Sequence, residues 1–338
     1  MKHDSPSLLA ALTVGVLINV LLRSQSAYWP RAGVATALVC VPALAAAGCL
    51  FAYAWKQGRS PLLRLLFAVL LFYTSALELL HFWNLAQRLY PGTLSMTAVC
   101  LMTLLPVIYL RRVSAISQTA HVVLCLLGLA TVFMLLTVLP QLQLTNLQNV
   151  PLQISDFTAA AKEQLTLYPE YLLPALWPQK EKKPRHPLLR LAFLAIGFDV
   201  GVHFLLELFY GAAMPTRIDP VHAVARCGAL SVFNRLESLQ LILWVMAITL
   251  KLALYLYAIC LLLDREGTRG TSVRLEHFPL YFAGIWMLCA LLRRIDVQEA
   301  MQMRSILTWG FALLVGMGGV AAWMCRIIRR CSEKGVCA

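Results

Sequence analysis

Residues 236–263 read LESLQLILWVMAITLKLALYLYAICLLL, an apolar run of 28 residues whose only charges are Glu237 and Lys251. About 20 apolar residues cross a hydrocarbon core as a helix, so this stretch is a membrane span with length to spare. Lys251 has thirteen residues between it and Glu237 and twelve between it and Asp264. It is too deep to snorkel to either interface and requires a carboxylate, a ring of carbonyls or water inside the protein.

The rest of the chain has the same character. Of 338 residues, 60% are hydrophobic and only 13% charged, and the mean hydropathy is +0.72. Soluble domains carry about 25% charged residues. The deficit excludes a soluble enzyme, a disordered regulator and a secreted disulfide scaffold. The apolar runs are continuous rather than alternating, which excludes a β-barrel. Nine clear runs occur: Ser7–Leu22, Gly33–Trp55, Pro61–Trp83, Thr93–Leu110, Gln118–Leu139, Pro187–Tyr210, Leu236–Leu263, Phe278–Leu292 and Ser305–Cys325. Within the more polar stretch from Gln141 to Lys183 lies one short apolar piece, Leu165–Trp177, which we count as a tenth. The first run, with Lys2 before it and SQSA after it, also fits a signal peptide.

Net charge is +13, which in a soluble protein would suggest nucleic acid. Here it reads as orientation, with no nucleic-acid partner. With ten spans and the N-terminus inside, 18 of the 29 basic residues fall in inside segments and 10, Arg304 among them, in outside ones; Lys251 lies mid-span. The bias places both termini in the cytoplasm and keeps the short sixth piece as a span, because dropping it would invert everything after it. KEKKPRH (Lys180–His186) is then a cytoplasmic loop.

Ten spans divide into two sets of five, and an odd-numbered unit that is duplicated inserts upside down. The expected halves are residues 1–140 and 141–325, with 326–338 as a cytoplasmic tail. Transporters built this way bind substrate at breaks in the first helix of each half. The first run is short and carries Gly15 and Asn19; the sixth carries Pro169, Pro174 and Pro178, with Glu170 between the first two. Prolines remove amide donors, so the sixth piece is expected to be irregular. Other ionisable residues share helix faces within spans: Glu78 with His81, and Asp199 with His203 and Glu207. The last set reads as a polar seam facing the bundle rather than a metal site. Seven of the ten cysteines lie in apolar runs as small hydrophobes, and the spacing of Cys331 and Cys337 fits no zinc signature. No phosphate-binding loop, nucleophile elbow, HExxH or dinucleotide fingerprint occurs, so neither enzyme chemistry nor a cofactor is indicated.

Several segments together resemble a family. RLESLQLILWVMAITLKLALYLYA (Arg235–Ala258) resembles the eighth span of the endospore germination permeases, the B subunits of nutrient germinant receptors in the amino acid/polyamine/organocation superfamily. Arg235, Leu236, Glu237, Trp244, Lys251, Tyr255 and Tyr257 carry the likeness. FYTSALELLHFW followed by YPGT is similar to the family's third span, VIYLRRVSAISQTAHVVL to its fourth-to-fifth junction, and YPEYLLPALWP to its Pro-Glu sixth span. The likeness covers about residues 60–265, in order and with matching spacing. In the first span only Gly15 matches; a second glycine and a proline usual in the family are missing, and the sixth span is shorter.

The resemblance implies an all-α, LeuT-like protein of ten spans in two inverted repeats, with broken first and sixth helices. It would lie in a cytoplasmic or spore inner membrane beside an A-type subunit and a lipoprotein C-type subunit. It would sense a small nutrient, typically an amino acid, and trigger germination. The implied pocket is Gly15 and Asn19 with Pro169 and Glu170, where a half-helix amino end would meet a carboxylate. Tyr73, Glu78 and Lys251 would line or gate it. A secondary amino acid transporter of the same superfamily and a scaffold subunit that binds nothing are the alternatives.

Overall fold

The computed structural model describes residues 8–21, 28–57, 61–92, 94–147, 152–166, 169–176, 187–216, 220–227, 236–263 and 272–295, together with part of 299–314. The expected cytoplasmic loop Lys180–His186, the end of the tenth run and the tail cysteines lie outside these residues. The chain is an all-α protein. Its elements are α1 (Leu9–Leu21), α2 (Pro30–Gln57), α3 (Pro61–Leu89), α4 (Met96–Leu104), α5 (Val113–Val138), α6 (Ile154–Thr166), α7 (Pro187–Tyr210), α8 (Pro220–Cys227), α9 (Leu236–Leu263) and α10 (His277–Leu292). Five of them (α2, α3, α5, α7 and α9) are long and apolar enough to cross a membrane, and α1, α4 with its continuation, and α10 are shorter apolar helices. This is the make-up of a membrane protein.

The deciding run, α9, is the most enclosed of the long helices: 78% of its apolar window is buried, against 17% for α5. Both are apolar around their whole circumference, and such helices belong either in a core or against lipid. α9 takes the first place, packed against α1, α3 and α5. The outer side of α5 presents Val122, Leu129, Val132 and Leu136 to the surroundings. Leu254, which from sequence alone reads as lipid-facing, is fully buried; among the described side chains of α9, Ile242 and Leu263 are exposed.

Prolines set the irregular segments. α4 gives way at Pro106 to a 3-10 turn, Leu105–Ile108. The sixth piece is not a continuous α-helix. It is the end of α6 followed by a 3-10 segment, Pro169–Leu176. Pro174 has no amide to return to the carbonyl of Glu170, so the α-helical ladder cannot run there, and the tighter helix replaces it. At about 2 Å per residue the segment is about 16 Å long, half a hydrocarbon thickness.

The first span corrects the expectation of a broken helix. α1 runs without interruption from Leu9 to Leu21, through both Gly15 and Asn19. It is short rather than broken, about 20 Å at 1.5 Å per residue. Asn19 does not need to interrupt the backbone, because its side chain finds buried partners elsewhere. Arg304 is a second correction: it is 3% exposed and therefore not part of an outer loop.

α2 is the other organising helix, packed on α6, α7 and the 3-10 segment. Its small residues (GVATALVCVPALAAAGC) permit that closeness. At Gly48 an added Cβ would stand well inside contact distance of the Tyr171 carbonyl oxygen, a backbone atom that cannot swing away. Gly48→Ala is therefore expected to destabilise the protein by about 1–3 kcal/mol. Gly128→Ala, where a Cβ meets nothing within 4 Å, should be neutral or slightly stabilising. Thermal unfolding of the two variants in one detergent measures the contrast.

Candidate functional site

Three separate segments converge on Lys251. Its ammonium donates to Glu78 Oε1 of α3 at 2.8 Å and to Asn19 Oδ1 of α1, and it lies 3.2 Å from Glu170 Oε1 of the 3-10 segment. An ammonium has three N–H donors, and three acceptors surround this one. Asn19 Nδ2 in turn donates to Glu170 Oε2 at 3.1 Å, and the Tyr255 hydroxyl donates to Glu170 Oε1 at 2.6 Å. Lys251, Glu170, Asn19 and Glu78 are all buried.

Local structure explains each placement. Gly15 and Asn19 lie four apart on one face of α1, towards Glu170. A Cβ on Gly15 would lie 3.1 Å from Glu170 Cγ, so the missing side chain leaves the carboxylate its berth. The 3-10 turn beginning at Pro169 delivers Glu170 in its first turn. Lys251 and Tyr255 share a face of α9 by the same spacing, with Nζ 5.6 Å from the Tyr255 ring centre.

Arg304 completes the cluster, its Nη1 lying 3.7 Å from Glu78 Oε1. Two carboxylates and two cations thus balance. Burying four charges costs several kcal/mol each unless they pair with good geometry. Tyr73 stands at its margin, its hydroxyl donating to the Ala300 carbonyl at 2.9 Å.

The sequence-derived residues Gly15, Asn19, Glu78, Glu170 and Lys251 come together here. Pro169 acts through the turn it starts, and Tyr73 reaches the segment that carries Arg304 rather than Lys251 itself. Arg304 and Tyr255 are the additions. Tyr255 was legible from its spacing to Lys251, but Arg304 was not, because it precedes the last apolar run by one residue and reads as a loop cation.

The stripe on α7 forms a second polar seam. Asp199 accepts from the Gln164 amide of α6, and His203 Nδ1 lies 2.8 Å from the Asp199 carbonyl oxygen. Glu207 accepts from Arg31 Nε of α2 at 2.6 Å. Tyr28 stacks on the His203 ring, with 6.1 Å between centres. Among the described residues no group of three or more His, Cys, Asp or Glu side chains is placed to hold a metal. The seam joins α2, α6 and α7.

Chemically, the Lys251 cluster is a buried ammonium held between two carboxylates. The chain matches no family model and no curated protein.

Removing the ammonium leaves two buried carboxylates with only the more distant Arg304. Lys251→Ala is therefore expected to destabilise the protein by about 3–5 kcal/mol, as loss of one partner of a buried pair does. Ile242→Ala, on the exposed face of the same helix, should cost less than about 1 kcal/mol. Unfolding in detergent compares them, and equal mild effects would refute the paired state of Lys251.

Proposed function

We propose that this chain is a ten-span, LeuT-like membrane subunit of a spore nutrient germinant receptor. It senses a small nutrient, in class an amino acid, in the pocket around Glu170 and passes the event to A-type and C-type partner subunits. It acts by binding rather than by catalysing a reaction. One observation carries the reading: Asn19, Glu78, Glu170 and Lys251, picked out from separate parts of the sequence, meet in one buried cluster. Ionisable groups at such depth are expensive and generally serve a site.

Helix pairing supports the inverted repeat. Counting α1, α2, α3, α4, α5, the Pro169–Leu176 segment, α7, α9 and α10 in order, the second span packs on the seventh and the third on the eighth. These are the partners that a two-fold axis between two five-span halves would bring together. The excess of basic residues in alternate connections supports cytoplasmic termini in a cytoplasmic or spore inner membrane.

The occupation of the pocket by Lys251 favours a sensor over a transporter, because a tethered ammonium cannot be carried across. It also gives weight to a scaffold that binds nothing. Co-expression with A-type and C-type germinant receptor subunits should yield a complex that survives detergent. In germination assays of that complex, Glu170→Gln is expected to raise the half-maximal nutrient concentration at least about tenfold, the loss of one charged hydrogen bond. An unchanged dose curve with the complex intact would select the scaffold. Amino acid accumulation by the chain alone in liposomes would select the transporter.

A further inference from the structure

We infer that Arg304 is the anchor for a ligand carboxylate, and that Lys251 is an internal stand-in for the amino group of the same ligand. The inference rests on the nutrient-binding reading above and makes the ligand a zwitterionic α-amino acid rather than an amine or an acid.

Arg304 is 3% exposed, yet its guanidinium is poorly satisfied. Nη1 lies 3.7 Å from Glu78 Oε1, beyond hydrogen-bond distance, and Nη2 is buried with no hydrogen-bond partner. A guanidinium offers five N–H donors in a rigid fork, and its best complement is a carboxylate held by two parallel bonds. Buried donors without acceptors are costly and rare, so a buried guanidinium nitrogen left without an acceptor beside a charged cluster points to an acceptor that comes from outside.

The neighbouring geometry supplies the other end. Glu78 Oε1 accepts from the Lys251 ammonium at 2.8 Å and is also the atom nearest Arg304. The ammonium pocket and the guanidinium therefore adjoin across one carboxylate oxygen. An α-amino acid carries its ammonium and carboxylate on a single carbon, a spacing that suits adjoining subsites. Charge agrees: Glu78, Glu170, Lys251 and Arg304 sum to zero, and a zwitterion leaves that balance unchanged where an amine or an acid alone would not.

α1 supplies a further reason. Because it runs unbroken through Gly15 and Asn19, it exposes no half-helix amino end to receive a carboxylate there. Among the described residues, Arg304 is a buried cation placed to do so. Lys251, on a flexible four-carbon stem, yields its place between Glu170 and Glu78 to the incoming ammonium.

The test uses the purified full chain in detergent, with thermal shift and equilibrium binding read for the twenty common amino acids, the amines matching them and their N-acetyl derivatives. At least one amino acid is expected to bind the wild type, with its matching amine and its N-acetyl form each at least about tenfold weaker. In Arg304→Gln the affinity for that amino acid should fall about 10- to 100-fold, to the level of the amine, while amine binding stays as it was. Arg304→Lys, which keeps the charge and loses the fork, should restore only part of the difference. A wild type that binds the amine as tightly as the amino acid overturns the anchor whether or not the variants fold. So does an Arg304→Gln protein that keeps the wild-type preference, and in that case the pocket itself stands. A wild type that binds no member of the panel overturns both the pocket and the anchor.

Discussion

A lysine ammonium at mid-depth of a membrane protein has to be neutralised within the protein, and the architecture around α9 follows from that requirement. Lys251 draws Asn19 of α1, Glu78 of α3 and Glu170 of the 3-10 segment to one point. Each of these groups would be costly alone in the same position. Together they form a charge-balanced cluster that ties three segments distant in sequence to one face of α9, with Arg304 joined through Glu78. Apolar packing in a membrane cannot choose that arrangement, because lipid tails are as apolar as leucine side chains. The polar cluster gives the bundle its register.

The long helices sort themselves by the same logic. α9 and α5 are alike in composition, but α9 carries the charge and is enclosed, whereas α5 turns leucines, valines and Phe133 outward. α2 packs closely through small residues and touches the 3-10 segment at Gly48. The α7 seam, with Asp199, His203 and Glu207 meeting Gln164 and Arg31, repeats the device on the other side of α2. Polar groups are placed where helices must meet in one register, and apolar surface is left where lipid can serve.

Much of this was legible in the sequence, and the reasons are physical. Lys251 and Glu170 announce themselves because charge within apolar surroundings needs a partner, and the paired spacing of Asp199, His203 and Glu207 marks a face. The irregular sixth segment follows from Pro169 and Pro174. Other features had no local signal. Gly15 and Asn19 suggest a break, but glycine tolerates a helix and Asn19 is held by partners that only the tertiary structure supplies. Arg304 sits one residue before an apolar run, where a surface cation and a buried one look alike. α6 was hidden in a stretch polar enough to read as a loop, because its buried contacts, Ala160 and Gln164 among them, are few and short.

These elements describe a charge-balanced cluster closed around its own lysine. In the proposed sensor, a ligand would act by changing which groups are paired, and thereby the helices those groups hold. The central claim is that Lys251 and Glu170 stabilise the bundle through each other. A double-mutant cycle of Lys251→Met and Glu170→Gln, read by unfolding in detergent, tests it most directly. The account predicts a coupling energy of at least about 1 kcal/mol, with the double variant more stable than the sum of the single losses allows. Additive losses would contradict it.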